Sequence, residues 1–393
     1  MRRSMLLTLG TAGALLVGAP ALASLTWTAV PAPNPSAAHD QFAAVSARTT
    51  ADAWAVGDFL GADADDDGLQ MLAARWDGAR WQQVRTPAVL HQDESLLAVS
   101  ASSATEAWAV GFTKGVGAAG RNTLAVRWNG TAWSIVPTPA TSGGSKAQLN
   151  AVVSLGPADA WAVGRSRAGR ALAEHWDGAA WSIVQLPAPV IPAGTTLQSS
   201  TLTGISAASP TDIWAVGNIS VLSGTTARGR TLAMHYDGRT WRVTPTRDAT
   251  VPDTLNAVTA VASNDVWAVG NTFKTDGTNF PDRPLIEHWD GAVWSIVASP
   301  AVPVENTLSG VAARSGTDVW AVGNFVDRGR TVPVARTLAL HWDGVTWSPV
   351  GTVNGASGDT ALKGVAATPG GGDMWAVGFS LTATSTFVLR NTP

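Results

Sequence analysis

The sequence predicts an all-β chain folded as a seven-bladed β-propeller, with four antiparallel strands in each blade. Three observations carry that prediction. "WAVG" occurs seven times, with its Trp at 54, 108, 161, 214, 267, 320 and 375, at spacings of 54, 53, 53, 53, 53 and 55. A period near 53 is in the range of propeller blades. An Asp-Gly or Asn-Gly pair, the strongest short hairpin signal, recurs in six of the seven units, and no helical period shows anywhere.

One unit can be read in full from 307 to 353. "LSGVAAR" is a first strand, "SGTD" a turn and "VWAVGNF" a second strand. "VDRGRTVPVA" is a connection, "RTLALHW" a third strand, Asp343-Gly344 a tight turn and "TWSPVGTV" a fourth strand. The seventh unit has a first strand ("LKGVAAT"), a second ("MWAVGFS") and a third ("TFVLRNT"), and the sequence then stops at Pro393. Its fourth-strand wording stands at the other end, in "LTWTAVPAPNP" at 25–35, which echoes "TAWSIVPTP" at 131–139. Residues 25–31 are therefore expected to pair with 386–391 and close the ring, leaving no unpaired inter-blade face.

Composition agrees with a large core. Apolar residues make up 45% of the 393 and charged residues 14%, which excludes a disordered chain. The formal charge of −3 leaves no basic footprint for nucleic acid or an anionic membrane surface. With no cysteine there is no disulfide, thiol chemistry or lipid-modified cysteine. Residues 1–23 read as an export signal: Arg2 and Arg3, the apolar "LLTLGTAGALLVGA", then "ALA" at 21–23. The stretch is too short and too rich in Gly and Ala for a good membrane span. "RRSML" matches a twin-arginine signal in part, so the Sec and Tat routes both stay open. The expected product is residues 24–393, a single secreted propeller and a monomer, with no membrane span and a charge of −5 once the two arginines are gone.

The unit "D-[AVI]-W-A-V-G … H-W-D-G-x-x-W" resembles the secreted propeller-repeat proteins of actinobacteria and related soil bacteria. These are placed loosely near the kelch/galactose-oxidase and Asp-box propellers. The resemblance covers the whole mature chain and implies the fold far more than any activity. Departures from the neighbouring groups are specific. The turn is Asp-Gly-x-x-Trp where an Asp-box has Asp-x-Gly-x-Thr-Trp. Galactose-oxidase chemistry needs a Tyr cross-linked to Cys, and sialidase chemistry needs a Tyr nucleophile. The single Tyr, Tyr236, stands in the register of Trp176, Trp289 and Trp342.

All 19 Trp fall in three registers: seven in "WAVG", five before Asp/Asn-Gly and seven on the fourth strand. A side chain required in every blade is required by packing, so these are assigned to the core and not to a sugar-stacking platform. A second pattern joins the two turns at one end of each blade. An acid precedes every second strand (Asp52, Glu106, Asp159, Asp212, Asp265, Asp318, Asp373). A base ends every third strand (Arg75, Arg127, His175, His235, His288, His341, Arg390). Spread round a ring, these histidines cannot form one metal or catalytic cluster, and the expectation is seven blade-locking pairs.

Function is expected at the opposite end, where the second-to-third connections vary in length and composition. The residues just after "WAVG" leave the second strands there: Asp58, Phe112, Arg165, Asn218, Asn271, Asn324 and Phe379. Asp58, Arg165, Asn218, Asn271 and Asn324 are the candidate ligand-binding residues, set against the plainer reading of strand-end polarity. Asp63, Asp65 and Asp67, followed by Gly68, have the spacing of half a calcium loop. The later positions of such a loop hold Met71 and Ala74, so Asp58 or a backbone carbonyl would have to complete the site, and the competing reading is a solvated acidic tip. Calcium is the one cofactor the sequence suggests, and no catalytic residue is assigned. The sequence reading is a non-catalytic propeller that binds a carbohydrate polymer or an extracellular protein through its loop-rich face. The alternative is a polysaccharide hydrolase or lyase using acids such as Asp58, Asp276 or Asp282, which would need two carboxylates about 5–10 Å apart.

Overall fold

Six units pair with themselves as four antiparallel strands, the seventh borrows its fourth strand from the other end of the chain, and the seven sheets make the ring. The structure is a computed structural model; it describes residues 26–61, 68–89, 92–115, 120–143, 146–247, 252–273, 281–302, 305–329, 331–355, 359–380 and 384–393. Blade 1 is Asp40–Thr49, Asp52–Leu60, Leu69–Trp76 and Trp81–Gln83, ordered from the channel outwards. The first strands of neighbouring blades pack on one another round the ring, so they form the channel wall. Blade 7 takes Thr360–Ala367, Met374–Ser380 and Ser385–Asn391 from one end of the chain and Trp27–Ala29 from the other. Trp27 pairs with Asn391, Thr28 with Arg390 and Ala29 with Leu389. Among the described residues no helix is long and apolar enough to cross a membrane.

The Gly of "WAVG" has a steric cause. In every blade it faces a bulge in the first strand, and a Cβ there would lie 1.8–2.0 Å from a carbonyl oxygen, as with Gln41 O at Gly57 and Thr307 O at Gly323. No side chain fits such an approach. The Asp-Gly turns show a finer division of labour. In Asp77-Gly78-Ala79-Arg80 the Gly is the first central residue, at φ 97°, and Asp77 Oδ1 accepts from the Ala79 and Arg80 N–H groups. The Asp caps the turn while the Gly supplies the positive φ of a II′-type placement. Those backbone donors hold the Asp77 carboxyl below its usual pKa.

The tryptophans form the wedges between blades. Each "WAVG" Trp meets the fourth-strand Trp of the next blade: Trp54 and Trp133 have centroids 4.9 Å apart, Trp108 and Trp181 4.9 Å, and Trp320 and Trp27 5.2 Å. Seventeen of the 19 are buried, and Trp289 and Trp342 are half-buried. In blade 7 the third-strand aromatic is replaced by Asn391, and Arg314 of blade 6 donates to its carbonyl and side-chain oxygens.

All seven acid–base pairs form. The distances run from 2.6 Å for Arg390–Asp373 to 3.0 Å for His341–Asp318. The base also lies over its own blade's "WAVG" Trp, as His288 on Trp267 at 4.2 Å and Arg75 on Trp54 at 5.3 Å. His288→Ala removes a hydrogen bond to a carboxylate and a ring contact at once. It is expected to cost about 2 kcal/mol in denaturant unfolding and to leave ligand binding on the opposite face unchanged. Binding lost by a folded variant would show that the lock is part of the site.

Two features differ from the sequence reading. In blade 6 the second strand runs on to Asp327 and the third begins at Val334, so the two residues at each end of "VDRGRTVPVA" extend the hairpin and the connection is shorter than read. Pairing continues there because nothing interrupts the ladder: Val326 faces Ala335 and Asp327 faces Val334. The fourth strands are shorter than read, Trp347–Val350 in place of 346–353, as befits an edge with a partner on one side only.

Candidate functional site

A sevenfold repeat gives most positions the same task seven times. A ligand is read where the repeat breaks while the side chain stays accessible. The first strands contain such a position. In each blade the register shifts by one residue after a fully buried Leu or Phe. The extra residue is Ala43, Leu97, Asn150, Thr203, Asn256, Ser309 or Lys363. All seven are accessible at least in part, whereas the residue before each is at 0% exposure. A bulge re-aims one side chain out of the ladder. Here it does so on the channel wall. Three of these side chains reach round the wall to the next blade: Asn150 Nδ2 donates to Leu202 O (2.7 Å), Thr203 Oγ1 to Leu255 O (2.7 Å) and Asn256 Nδ2 to Leu308 O (2.8 Å).

The ends of the second strands stand beside this ring. Asp58 lies opposite Gln41, Arg165 opposite Gln148, Asn218 opposite Thr201, Asn271 opposite Thr254 and Asn324 opposite Thr307. The five do not share one environment. Asp58 is 1% exposed; Gln41 Nε2 donates to both its oxygens (3.0 and 3.1 Å), Ser95 Oγ of blade 2 donates to Oδ2 (2.5 Å), and His39 Nε2 lies 2.9 Å from Oδ1. Its carboxylate orients these neighbours and is itself covered, while the His39 side chain is 39% exposed. Asn271 is also buried, its Oδ1 accepting from Asn256 Nδ2 at 3.2 Å. Asn218 and Asn324 are half-buried. Arg165 is half-buried, and its buried Nε has no hydrogen-bond partner. Of the two aromatic members, Phe112 is covered by the Arg121 guanidinium at 3.7 Å, and Arg121 Nη1 donates to Gln148 Oε1 (2.7 Å). Phe379 is half-buried beside Lys363, whose Nζ is 5.4 Å from the ring centroid.

The sequence reading found the second-strand ends and missed the bulges. A signal was present: between the buried Leu or Phe and the following Ala or Gly, the seven units read A, L, N, T, N, S and K. It is a variable position set between two that hold to one residue type, a large apolar residue before it and Ala or Gly after it.

Two other concavities hold polar groups that are already engaged. A cleft of 460 Å³ beside blade 3 is lined by Ile183, Leu186, Pro187, Pro189 and Leu197. Its Arg170 donates to Gln198 O and its Ser200 Oγ accepts from Ala171 N–H. A 510 Å³ cleft at the other end of blade 1 contains Arg48, Asp52 and Arg75, which are that blade's lock. Among the described residues no three His, Asp or Glu side chains converge as a metal site. Asp63, Asp65 and Asp67, the suggested calcium ligands, lie outside the described residues, as do Asp276 and the side chain of Asp282.

No family model matches the chain, and no curated protein sequence matches it. Solved structures do. The chain is similar to YCF48 bound to D1 peptide, at 16% identity and a TM-score of 0.56 over 96% of this chain and 100% of that one. It is similar to YCF48 from Cyanidioschyzon merolae at 14% and 0.55, over 94% and 99%. It is similar to a polysaccharide lyase of family PL25, an ulvan lyase bound to -[GlcA(1-4)Rha3S]-, at 9% and 0.56, over 91% and 94%. At such identities the likeness is one of fold.

Proposed function

We propose that this chain is an exported, non-catalytic binding propeller of the actinobacterial repeat type, and that a carbohydrate polymer docks over the channel mouth. The observation that supports this reading is the bulge ring: seven accessible side chains of six kinds, each between a fully buried Leu or Phe and an Ala or Gly. Blades 4 to 6 present an arc of amides and hydroxyls, Thr203, Asn218, Asn256, Ser309 and Asn324. Thr203 and Asn256 have their donors on the wall and offer acceptor oxygens, while Ser309, Asn218 and Asn324 can both donate and accept, which suits sugar hydroxyls. Aromatic Phe379 supplies an apolar face on the adjoining blade 7. Propellers of this architecture include one bound to a peptide and one bound to a saccharide, which is consistent with a ligand on the ring.

Catalysis has one observation in its favour. His39, accessible and held by the covered Asp58, has the form of an acid–base group oriented by a carboxylate. A co-sedimentation assay decides between the readings. Residues 24–393 are incubated with insoluble cell-wall and plant polysaccharides, and pellet and supernatant are assayed for protein, reducing ends and unsaturated sugars. Protein in the pellet with no released sugar is the expected result. Released sugar that disappears with His39→Ala would overturn the non-catalytic reading. Protein left wholly in solution would replace the polymer with a protein partner.

A further inference from the structure

The charges at the channel mouth narrow the class of saccharide. Three positions per blade form the mouth: the bulged residue, the residue two before it and the end of the second strand. In blades 4, 5 and 6 all of these are Thr, Ser or Asn. Over the whole ring only Asp58, Arg165 and Lys363 are charged. The acid among them is covered, its oxygens taken up by His39, Gln41 and Ser95. The cations are not neutralised in this way. Among the described residues Lys363 has the Phe379 ring beside it and no ion pair, and Arg165 has none either. Among these described positions the accessible charge is thus positive, in a chain whose overall formal charge is −3.

We propose that Lys363 anchors an anion subsite, in which a carboxylate or sulfate of an acidic polysaccharide enters the channel and pairs with its Nζ. The sugar hydroxyls then fall to the neutral arc of blades 4 to 6, and Arg165 on blade 3, across the ring from blade 7, offers a second charge. Three points support Lys363 over an ordinary surface lysine. It sits on the bulge, in the register where Asn150, Thr203 and Asn256 close onto the wall. Its ammonium is held beside an aromatic face, a contact that does not neutralise it. It is open to channel water yet hemmed in by protein, and that partial desolvation lowers its pKa from the ordinary lysine value. An arriving anion offsets that desolvation with a charge-assisted hydrogen bond.

The polymer part of this inference rests on the proposed function, but the anion part does not, and the test separates them. Wild type, Lys363→Met and Lys363→Arg are titrated by calorimetry with polygalacturonate, dextran sulfate and neutral dextran, at low and at physiological salt. Lys363→Met is accepted only with an unchanged melting curve; otherwise the wild-type panel and Lys363→Arg decide. One acidic polymer is expected to bind about tenfold tighter than dextran, with the advantage lost in Lys363→Met, kept in Lys363→Arg and weakened by salt. Which acid wins separates carboxylate from sulfate. Equal binding of acidic and neutral polymers, or full binding of the acid by Lys363→Met, overturns the subsite and leaves the polymer reading intact. If no polymer binds, the Lys363 side-chain NMR signal is followed under inorganic sulfate. A saturable shift keeps the anion subsite and removes the polymer; no shift overturns both. Lys363-dependent binding of polyglutamate in place of any saccharide moves the ligand to an acidic peptide and overturns the saccharide class.

Discussion

Deleting residues 26–31 is expected to lower the stability of the ring by at least 3–5 kcal/mol, seen as an earlier urea midpoint in Trp fluorescence. The segment is small, but its attachments are all long-range. Trp27 is 3% exposed and meets Trp320 of blade 6 edge-on at 5.2 Å. It shares a cluster with Val322, Leu362, Met374 and Leu389, so its loss opens a cavity between two blades at once. Thr28 Oγ1 donates to Arg390 O, Val30 N–H to Val388 O and Asn391 Nδ2 to Thr26 O. Without them the third strand of blade 7 becomes an unpaired edge, exposed to pairing with other chains. Trp294→Ala is the control. Trp294 has the same register in blade 5 and the same contact with the preceding blade, to Trp214 at 5.4 Å. If closure matters beyond the side chain, the deletion must cost clearly more than Trp294→Ala and raise aggregation as well. An unchanged midpoint would mean that the ring does not depend on this strand.

The fold was legible because each repeated residue has a repeated physical cause. "WAVG" combines a wedge Trp with a Gly that a carbonyl forbids to grow, and the Asp-Gly turn combines a cap with a positive φ. The seven locks could be read from two registers alone, since antiparallel pairing puts both turns at one end. The site was half legible. Second-strand ends such as Asn218 and Asn324 follow from counting past the repeat, but counting cannot tell that Asp58 and Asn271 are covered by residues from the first strand and the next blade. The bulge was out of reach of a period-two reading, since a bulge is the place where that period slips. Strand ends failed for a related reason: whether pairing runs past Phe325 depends on the facing residue, Arg336, and on the hairpin beyond it.

The same register logic points to the second large effect, Glu174→Met. Glu174 lies on the third strand of blade 3, where the other blades have Ala74, Val126, Met234, Glu287, Leu340 and Leu389. It is fully buried, and neither carboxyl oxygen has a hydrogen-bond partner. Its strand neighbours Leu172 and Trp176 belong to the apolar wedge of Trp108, Val110 and Ala162. Burial pushes its pKa from 4.5 to about 8. The folded chain therefore holds a proton that the unfolded chain releases. Below pH 4.5 both states are protonated and there is no penalty. Between about 4.5 and 8 stability falls as pH rises, and above 8 the loss is complete, at about 5 kcal/mol for a shift of this size. Met234 shows that the register accepts methionine. Glu174→Met is thus expected to gain several kcal/mol at pH 8–9 and far less at pH 4. The wild-type-minus-variant difference isolates this group from the turn aspartates, whose lowered pKa values act in the opposite direction, with stability lost as pH falls. Paired urea titrations from pH 4 to 9 measure it. A difference that stays constant with pH would show that Glu174 is solvated or paired in solution, and the wedge between blades 2 and 3 would then have to open enough to admit water.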